Sequence, residues 1–300
     1  MMPRIAFQGE RGAFSEEAAQ RLLPFAIETV PCHTFESLFA AIDEGRADLA
    51  LAPLENSLAG HVTRSYDLLY ESSLWVRAEV VRPIHHCLIG RPEARLETIR
   101  TVQSHPVALA QCERFFSEAP DIKRVTAEDT AGSVREVMER ADAGAAAIAA
   151  AHAAQVYGAQ ILKANIEDYP ENFTRFVLLG REPEVVSGAD KHSMVLKLRH
   201  EPGSLYRALA PFAENGINLA NILCRPLKRS PWHYLFFLDF MTPSRQATHA
   251  AIEQLRGMAE EVRMLGSYRA GKTETTKDTK EHEGQTTRSK VLERQGVIRQ

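Results

Sequence analysis

Short apolar runs alternate with amphipathic stretches along the first 180 residues of the chain. Apolar positions that recur every three to four residues predict helices, and short β-rich runs bounded by glycine or polar turns predict strands. By these criteria the first strands and helices fall at 4–7, 13–23, 27–32, 35–44 and 48–52. Strands and helices in alternation are typical of an α/β fold.

A stretch rich in β-forming residues runs from Leu74 to Leu88 and is long enough to cross from one lobe to another. A second α/β series then begins near Ile99 and continues through a strand at 123–126 and a run of small residues at 144–151. We therefore expect two α/β lobes with a ligand cleft between them. Together they would form a first domain that spans residues 1–182.

The pattern changes after a polar linker that begins at Gly180. From there to Tyr268 the elements follow the order β-α-β-β-α-β, which predicts a compact ferredoxin-like unit. We expect this second domain at residues 190–269. The remaining segment, 270–300, is polar and has no aromatic residue, a composition that predicts a disordered tail.

Composition and charge narrow the possible functions. The chain has 300 residues, and its net charge of −3 argues against a nucleic-acid-binding face. No segment approaches the roughly 18 apolar residues of a membrane span, and the first residues lack a signal-peptide pattern, so we expect a cytoplasmic location. The four cysteines are scattered without a Cys-x-x-Cys pair, which indicates reduced thiols.

Polar residues follow two of the predicted strands. Gly9 and Gly12 precede the first helix, whose unpaired amides, together with the hydroxyl of Ser15, would suit an anion. A tight turn is the alternative. The triplet Glu55-Asn56-Ser57 follows a later apolar strand, at the sheet edge where open α/β sheets bind ligands. Capping of the next helix would explain one of these three side chains but not all of them.

The stretch from Asn172 to Phe176 places Thr174 and Arg175 between two phenylalanines, just before the apolar run 177–179. An arginine at the edge of a buried strand needs an anionic partner, because an unpaired buried charge costs several kcal/mol. That partner is either a carboxylate of the protein or an anionic ligand. The five residues alone leave both possibilities open.

The run His85-His86-Cys87 has the residue types of a metal site. Adjacent residues of a strand point to opposite faces, however, and do not converge on one ion. We therefore predict neither a metal nor a cofactor.

Six motifs, taken in chain order, resemble those of the prephenate dehydratase family. They are Gly9-x-x-Gly12-x-Phe14-Ser15, Pro53-Leu54-Glu55-Asn56-Ser57, His85-His86-Cys87-Leu88, Ser104-His105-Pro106, Asp129-Thr130-Ala131 and Asn172-Phe173-Thr174-Arg175-Phe176. The later region is similar to the ACT regulatory domain that follows in this family, through Pro202-Gly203-Ser204-Leu205, Asn218-Leu219 and Arg225-Pro226.

The resemblance implies a bilobed catalytic domain of the periplasmic-binding-protein type, followed by an ACT domain. It implies a carbon–oxygen lyase that converts prephenate to phenylpyruvate, carbon dioxide and water in phenylalanine biosynthesis. Thr174 and Glu55 would be catalytic, and the substrate would be bound by Gly12, Ser15, Asn56, Ser57, Ser104, Gln111, Arg175 and Phe176. Phenylalanine would act as a feedback ligand at Gly203, Ser204, Leu205, Asn218 and Arg225. A homodimer or homotetramer, assembled partly through ACT domains, is also implied.

The chain departs from the family pattern at three places. Val107 stands where glutamine is usual, Ser204 stands where alanine is common, and Leu223-Cys224 replaces Glu-Ser before Arg225-Pro226. Three other functions are open on the sequence: arogenate dehydration, which is the same chemistry on the amino-acid analogue, a two-lobed solute-binding protein, and a purely regulatory ACT protein.

Overall fold

A computed structural model describes residues 2–23, 25–140, 142–184, 186–227, 230 and 232–272. The disordered tail predicted at 270–300 therefore lies, beyond residue 272, outside the described residues. Within the described ranges, no helix is both long and apolar enough to cross a bilayer.

The first lobe is built around a mixed sheet that carries three helices. Its elements are β1 (Arg4–Gln8), α1 (Phe14–Leu22), β2 (Glu28–Cys32), α2 (Phe35–Asp43), β3 (Leu49–Asn56), β4 (Gly60–His61), α3 (Thr63–Glu71), β5 (Trp75–Pro83) and, after the second lobe, β11 (Phe173–Gly180). Strands β1, β2 and β3 are parallel, and β11 runs antiparallel to its neighbours β3 and β5. The predicted strand at 48–52 was too short, because β3 continues to Asn56.

Pro53 is tolerated inside β3 because of its place in the ladder. The pairing of β3 with β1 ends at Leu51, so the missing amide hydrogen of Pro53 leaves no bond to β1 unmade. Beyond Leu51 the strand pairs with β11, and Pro53 lies opposite Phe176.

The second lobe has a five-stranded sheet in the order β10-β6-β9-β7-β8. Its elements are β6 (Cys87–Gly90), a 3-10 turn (Leu96–Thr98), β7 (Thr101–Ser104), α4 (Pro106–Ala110), α5 (Glu113–Glu118), β8 (Lys123–Thr126), α6 (Thr130–Glu139), β9 (Ala145–Ala149), α7 (Ala151–Tyr157) and β10 (Gln160–Lys163). The small residues of β9 are all buried, which confirms the predicted buried strand entering a helix. The chain passes between the lobes twice, from β5 to β6 and from β10 to β11.

The C-terminal unit has the predicted βαββαβ order. Its elements are β12 (Lys191–Lys197), α8 (Ser204–Glu214), β13 (Asn218–Pro226), β14 (Tyr234–Met241), α9 (Arg245–Arg256) and β15 (Glu261–Tyr268). Two α/β lobes followed by this unit confirm the predicted fold class.

The sheet of the C-terminal unit joins the sheet of the first lobe through β15 and β5. The contact is close at Gly266, where a Cβ atom would lie 2.2 Å from the carbonyl oxygen of Val76. Only glycine lets the two backbones approach in this way. One apolar core spans the junction, since Val195 and Phe237 of the C-terminal unit pack with Leu54 and Tyr66 of the first lobe.

Candidate active site

A cavity of about 460 Å³ lies between the two lobes. The first lobe contributes residues that follow β1 and residues of β3 and β11, and the second lobe contributes the starts of α4 and α6. The predicted site residues among those that line it are Ser15, Asn56, Gln111, Thr174 and Phe176. The cavity also meets His61, His86, His105, Glu128 and Asp129.

Thr174 and Asn56 are placed side by side by the pairing of β11 with β3. The two hydrogens of Asn56 Nδ2 are shared among three acceptors, Thr174 Oγ1 at 2.9 Å, Asn172 Oδ1 at 2.7 Å and the carbonyl oxygen of Phe173 at 3.1 Å. Because Thr174 Oγ1 accepts from Asn56, the proton of its hydroxyl points elsewhere. Thr174 lines the cleft, so that proton is available to a bound molecule.

The side-chain oxygen of Asn56 fixes the orientation of its amide group. Its Oδ1 atom accepts from the amides of Leu58 and Ala59 at 3.0 and 2.8 Å, which closes the turn after β3. The side chain therefore cannot rotate its amide group without breaking this turn. As a result, Nδ2 faces Thr174 as a donor.

Gln111 extends the polar chain across the cleft to the second lobe. Its Oε1 atom accepts from Asn172 Nδ2 at 3.0 Å and from His86 Nε2 at 2.9 Å. A carbonyl oxygen cannot donate, so His86 carries its proton on Nε2. Burial lowers the pKa of His86, which keeps the ring neutral near pH 7.

The start of α1 faces the cleft through Ala13, Phe14 and Ser15. No side chain caps this helix, so its first amides are the groups that would meet an anion. The predicted role of Gly12 is corrected, because its amide donates to the buried carboxylate of Glu16 at 2.6 Å and is already paired.

The predicted role of Arg175 as a clamp for the substrate carboxylate is also corrected. Its side chain is buried, and the protein itself supplies the anions: Nε donates to Glu79 Oε2 at 2.7 Å and Nη1 donates to Asp239 Oδ2. Alternate residues of a strand point to opposite faces, so Thr174 and Phe176 line the cleft while Arg175 points away from it.

The same alternation separates Glu55 from Asn56. Glu55 does not line the cleft. Its charge acts on the opposite face of the sheet, where burial and the charges of Asp239 and Glu55 together raise the pKa of Tyr66. The predicted catalytic role of Glu55 together with Thr174 is thus corrected, because the two groups lie on different sides of the sheet.

Two of the three serines predicted to bind substrate, Ser57 and Ser104, make their hydrogen bonds within the protein instead. Ser104 is fully buried and donates to the carbonyl oxygen of Ile148 at 2.6 Å, which ties β7 to β9. Ser57 donates to the carbonyl oxygen of Glu171 at 3.0 Å and accepts from the amide of Phe173 at 2.9 Å. Ser57 therefore holds the turn after β3 against the start of β11, and neither serine lines the cleft.

The adjacent histidines lie in the connection between β5 and β6, and their side chains have different partners. His85 Nδ1 pairs with Glu167 Oε1 at 2.7 Å, whereas His86 faces Gln111. Within the described residues, no group of three or more potential metal ligands converges. The sequence reasoning missed His86 as a residue of the cleft. The motif that contains it was noticed, but the long-range contact with Gln111 has no local signal.

The predicted phenylalanine-binding residues lie in different surroundings. Gly203 has a φ of +79° before α8, and Ser204 and Leu205 line a separate cavity of about 140 Å³ in the C-terminal unit. Asn218 begins β13 and is exposed. Arg225 is bound in bidentate fashion by Asp67 of α3, at 3.0 and 2.9 Å, so its guanidinium links the C-terminal unit to the first lobe.

Comparisons with known proteins place nearly the whole chain among its relatives. The family model of prephenate dehydratase matches residues 5–184. A chloroplastic protein of Arabidopsis thaliana, named arogenate dehydratase/prephenate dehydratase 2, is 39% identical over 278 residues, which cover 88% of this chain and 72% of the relative.

Two solved structures match nearly the whole fold. The prephenate dehydratase of Arthrobacter aurescens, in complex with L-Phe, is 29% identical with a TM-score of 0.81, over 97% of this chain and 99% of that one. A structure described as GqqA, a novel type of quorum quenching acylases, is 34% identical with a TM-score of 0.82, over 89% of this chain and 98% of that one. From the family model and the extent of these matches, the chain belongs to the prephenate dehydratase family.

Proposed function

We propose that the protein converts prephenate to phenylpyruvate, carbon dioxide and water in the cleft between its lobes, as a step of phenylalanine biosynthesis. The observation that carries the proposal is the orientation of Thr174. Its hydroxyl accepts from Asn56 and keeps its own proton for a ligand in the cleft. Membership of the prephenate dehydratase family supplies the reaction class.

The reaction needs help mainly at the departing hydroxyl, because aromatisation of the ring provides the driving force. A threonine hydroxyl is too weakly acidic to transfer its proton efficiently near neutral pH. Thr174 instead donates a hydrogen bond to the hydroxyl as it leaves and stabilises the negative charge that develops there. The electron pair of the broken bond to carbon dioxide enters the ring, and the departing hydroxide takes a proton from solvent to become water. Asn56 keeps the hydroxyl in the orientation that permits this donation.

Phe14 and Phe176 give the cleft an apolar wall. A carboxylate held against such a wall is poorly hydrated, and its conversion to neutral carbon dioxide removes the buried charge. The ring carboxylate of prephenate therefore lies on this side of the cleft, where the protein favours its loss.

The second carboxylate must be held without a cationic side chain, because none of the 23 described residues that line the cleft is lysine or arginine. The unpaired amides at the start of α1 carry a partial positive charge, and the hydroxyl of Ser15 lies beside them. We place the side-chain carboxylate of prephenate there. Gln111, which bridges both lobes, fixes the opposite wall.

Arogenate is the second candidate substrate. It has an ammonium group where prephenate has a keto group, and Glu128 and Asp129 are carboxylates that line the cleft. The Arabidopsis relative is named for both activities. The two substrates are compared directly in the experiment below.

Amide hydrolysis, the activity in the description of GqqA, needs a nucleophile that a neighbouring base activates. The partner of Thr174 Oγ1 is Asn56 Nδ2, which is a donor and not a base. The geometry at Thr174 thus favours donation to a leaving group over nucleophilic attack.

We further propose that the C-terminal unit, 190–269, is an ACT domain that binds phenylalanine as a feedback inhibitor, since the related enzyme of Arthrobacter aurescens was solved with L-Phe.

Strand β13 is an edge strand with alternate residues exposed, and Ile222 is 44% exposed. Such an edge suits pairing with a second copy, so we propose a homodimer or homotetramer in the cytoplasm. Its mass in solution, with and without phenylalanine, tests this assembly.

The first experiment follows phenylpyruvate from prephenate, and phenylalanine from arogenate, with the wild type and with the Thr174→Val and Thr174→Ser variants. Valine has the shape of threonine but lacks the hydroxyl, so kcat should fall by a factor on the order of 10² or more with little change in KM. Serine keeps the hydroxyl and should stay within about tenfold of the wild type. Equal kcat values for the valine variant and the wild type would refute the role of Thr174, and absence of product from both substrates would refute the function.

A further inference from the structure

Arg175 lies between two residues of the active site but takes no part in the cleft. Thr174 and Phe176 line the cavity, while the Arg175 side chain enters the opposite face of β11, where it is 7% exposed. The three residues share one short segment of backbone. Whatever holds Arg175 therefore also sets the positions of Thr174 and Phe176.

The groups that hold Arg175 come mostly from the C-terminal unit. Nη1 donates to Asp239 of β14, and Nη2 donates to the hydroxyl of Tyr268 in β15 at 2.9 Å. Ser193 of β12 completes a ring, since its hydroxyl donates to Asp239 Oδ1 and bonds to Tyr268. Three strands of the C-terminal sheet thus converge on one guanidinium of the catalytic domain.

The buried charges around Arg175 are balanced in number. Lys191 Nζ lies 2.9 Å from Glu79, which also accepts from Arg175 Nε, so two cations face the two anions Glu79 and Asp239. Both carboxylates are buried. Loss of one member leaves an unpaired charge, whereas loss of Arg175 and Asp239 together leaves the pair Lys191–Glu79 intact.

The backbone ladder is irregular at this point. Arg175 lies opposite Glu55, but Phe176 lies opposite Pro53, so β3 has one extra residue between them. A bulge of this kind interrupts the ladder and bends the strand. The side-chain anchor of Arg175 lies at this irregularity and adds to the backbone pairing that places Thr174 beside Asn56.

A second contact from Asp239 reaches the cleft. Asn221 of β13 donates to Asp239 Oδ2 at 3.4 Å and to the hydroxyl of Tyr66 at 2.9 Å, and its Oδ1 lies 2.9 Å from His61 Nε2. His61 lines the cavity. Asp239 is thus connected with two walls of the cleft although it lies outside the catalytic domain.

We propose that Asp239 and Arg175 are positioning residues for the dehydratase reaction: their buried pairing holds β11 so that the Thr174 hydroxyl meets the substrate, and the C-terminal unit thereby completes the active site. The inference rests on the proposed function. It assigns the C-terminal unit a part in turnover itself, independent of any ligand that this unit binds.

The test compares Asp239→Asn, Arg175→Lys and the double variant Arg175→Met/Asp239→Leu with the wild type in the full-length protein. Asparagine removes the charge but keeps the shape, and lysine keeps the charge but cannot reproduce the three-way contacts of the guanidinium. We expect kcat with prephenate to fall about tenfold or more in both single variants, with KM within about threefold. A matched control is Glu139→Gln, which breaks the exposed pair with Arg135 and should leave kcat unchanged.

The double variant separates positioning from stability. It removes the unpaired buried charge, so its Tm should return toward the wild-type value, while its kcat stays at least tenfold low because β11 has lost its anchor. Recovery of kcat together with Tm would overturn the proposal, as would wild-type kcat in Asp239→Asn.

Hydrogen exchange at β11 gives a readout that does not depend on the reaction. Amides of residues 173–176 should exchange faster in Asp239→Asn than in the wild type or in Glu139→Gln. If the wild type makes no product from prephenate, the proposed function fails, and the exchange rates still decide the inference. Unchanged exchange at 173–176 would refute it.

Discussion

Replacement of Asn56 by aspartate reverses the hydrogen bond to Thr174 and removes the two that Asn56 Nδ2 donates to carbonyl oxygens. In the wild type Asn56 Nδ2 donates to Thr174 Oγ1 at 2.9 Å, and we propose that the threonine proton is thereby left for the substrate. The Oδ1 contacts with Leu58 and Ala59 need only an oxygen, so aspartate keeps the turn after β3. The new carboxylate can only accept, and it would draw the Thr174 proton away from the leaving group.

The magnitude of this loss follows from two effects. Loss of one well-placed donor to developing charge lowers kcat by about 10²–10³. A unit charge about 6 Å from a substrate carboxylate, at an effective dielectric constant of about 20, adds about 3 kcal/mol of repulsion, which should appear mainly in KM. The Asn56→Ala variant loses the donor without diverting the proton, so its kcat should fall only about tenfold, even though it also loses the turn contacts.

Steady-state assays of phenylpyruvate formation over a range of pH would test this reasoning. The ratio of Asn56→Asp to wild-type kcat should rise toward acidic pH, because a protonated aspartate donates again. In a Thr174→Val background, Asn56→Asp should lower kcat little further, since both changes remove the same donation. A higher kcat for Asn56→Asp than for Asn56→Ala, or additive effects in the double variant, would refute the proposed orientation of the hydroxyl.

Two further predictions concern the loop that carries Gly12. Burial raises the pKa of Glu16, but the imidazole of His152, 3.4 Å from its carboxylate, and hydrogen bonds from Gly12 and Thr29 outweigh burial and lower that pKa to about 2 from its ordinary 4.5. The stabilisation that ionised Glu16 contributes is therefore complete above pH 4.5 and is lost as the pH falls toward 2. Glu16→Gln should lower the free energy of unfolding by about 2–3 kcal/mol at pH 7 and by less at pH 3, as measured by urea titration. An equal loss at both pH values would contradict this. Gly12→Ala should destabilise by more than about 2 kcal/mol, because φ is +87° and the added Cβ would lie 2.7 Å from Cα of Ala153. Gly158→Ala, with φ of +64° and open space around it, is the control and should lose only about 1 kcal/mol in the same titration.

Much of the fold could be predicted because its signals are local. The spacing of apolar residues located β8 at 123–126 without error and the βαββαβ order of the C-terminal unit. The polar residues after the strands and the motifs of the family resemblance pointed to a cleft, and Ser15, Asn56, Gln111, Thr174 and Phe176 line it. The extent of β3 was missed, because proline and polar residues ordinarily end a strand and only the pairing with β11 extends it.

The sequence by itself determined the elements, the order of the motifs and the requirement that Arg175 have an anionic partner. It could not identify that partner, because Glu79 and Asp239 lie 96 and 64 positions away along the chain. Strand pairing decided which of two neighbours faces the cleft. It placed Thr174 and Asn56 at the cleft and Arg175 and Glu55 on the opposite face of the sheet. The local sequence pattern indicates whether a side chain needs an apolar, polar or charged partner. The pairing of β3, β5, β11 and β14, which are distant along the chain, decides which group is that partner.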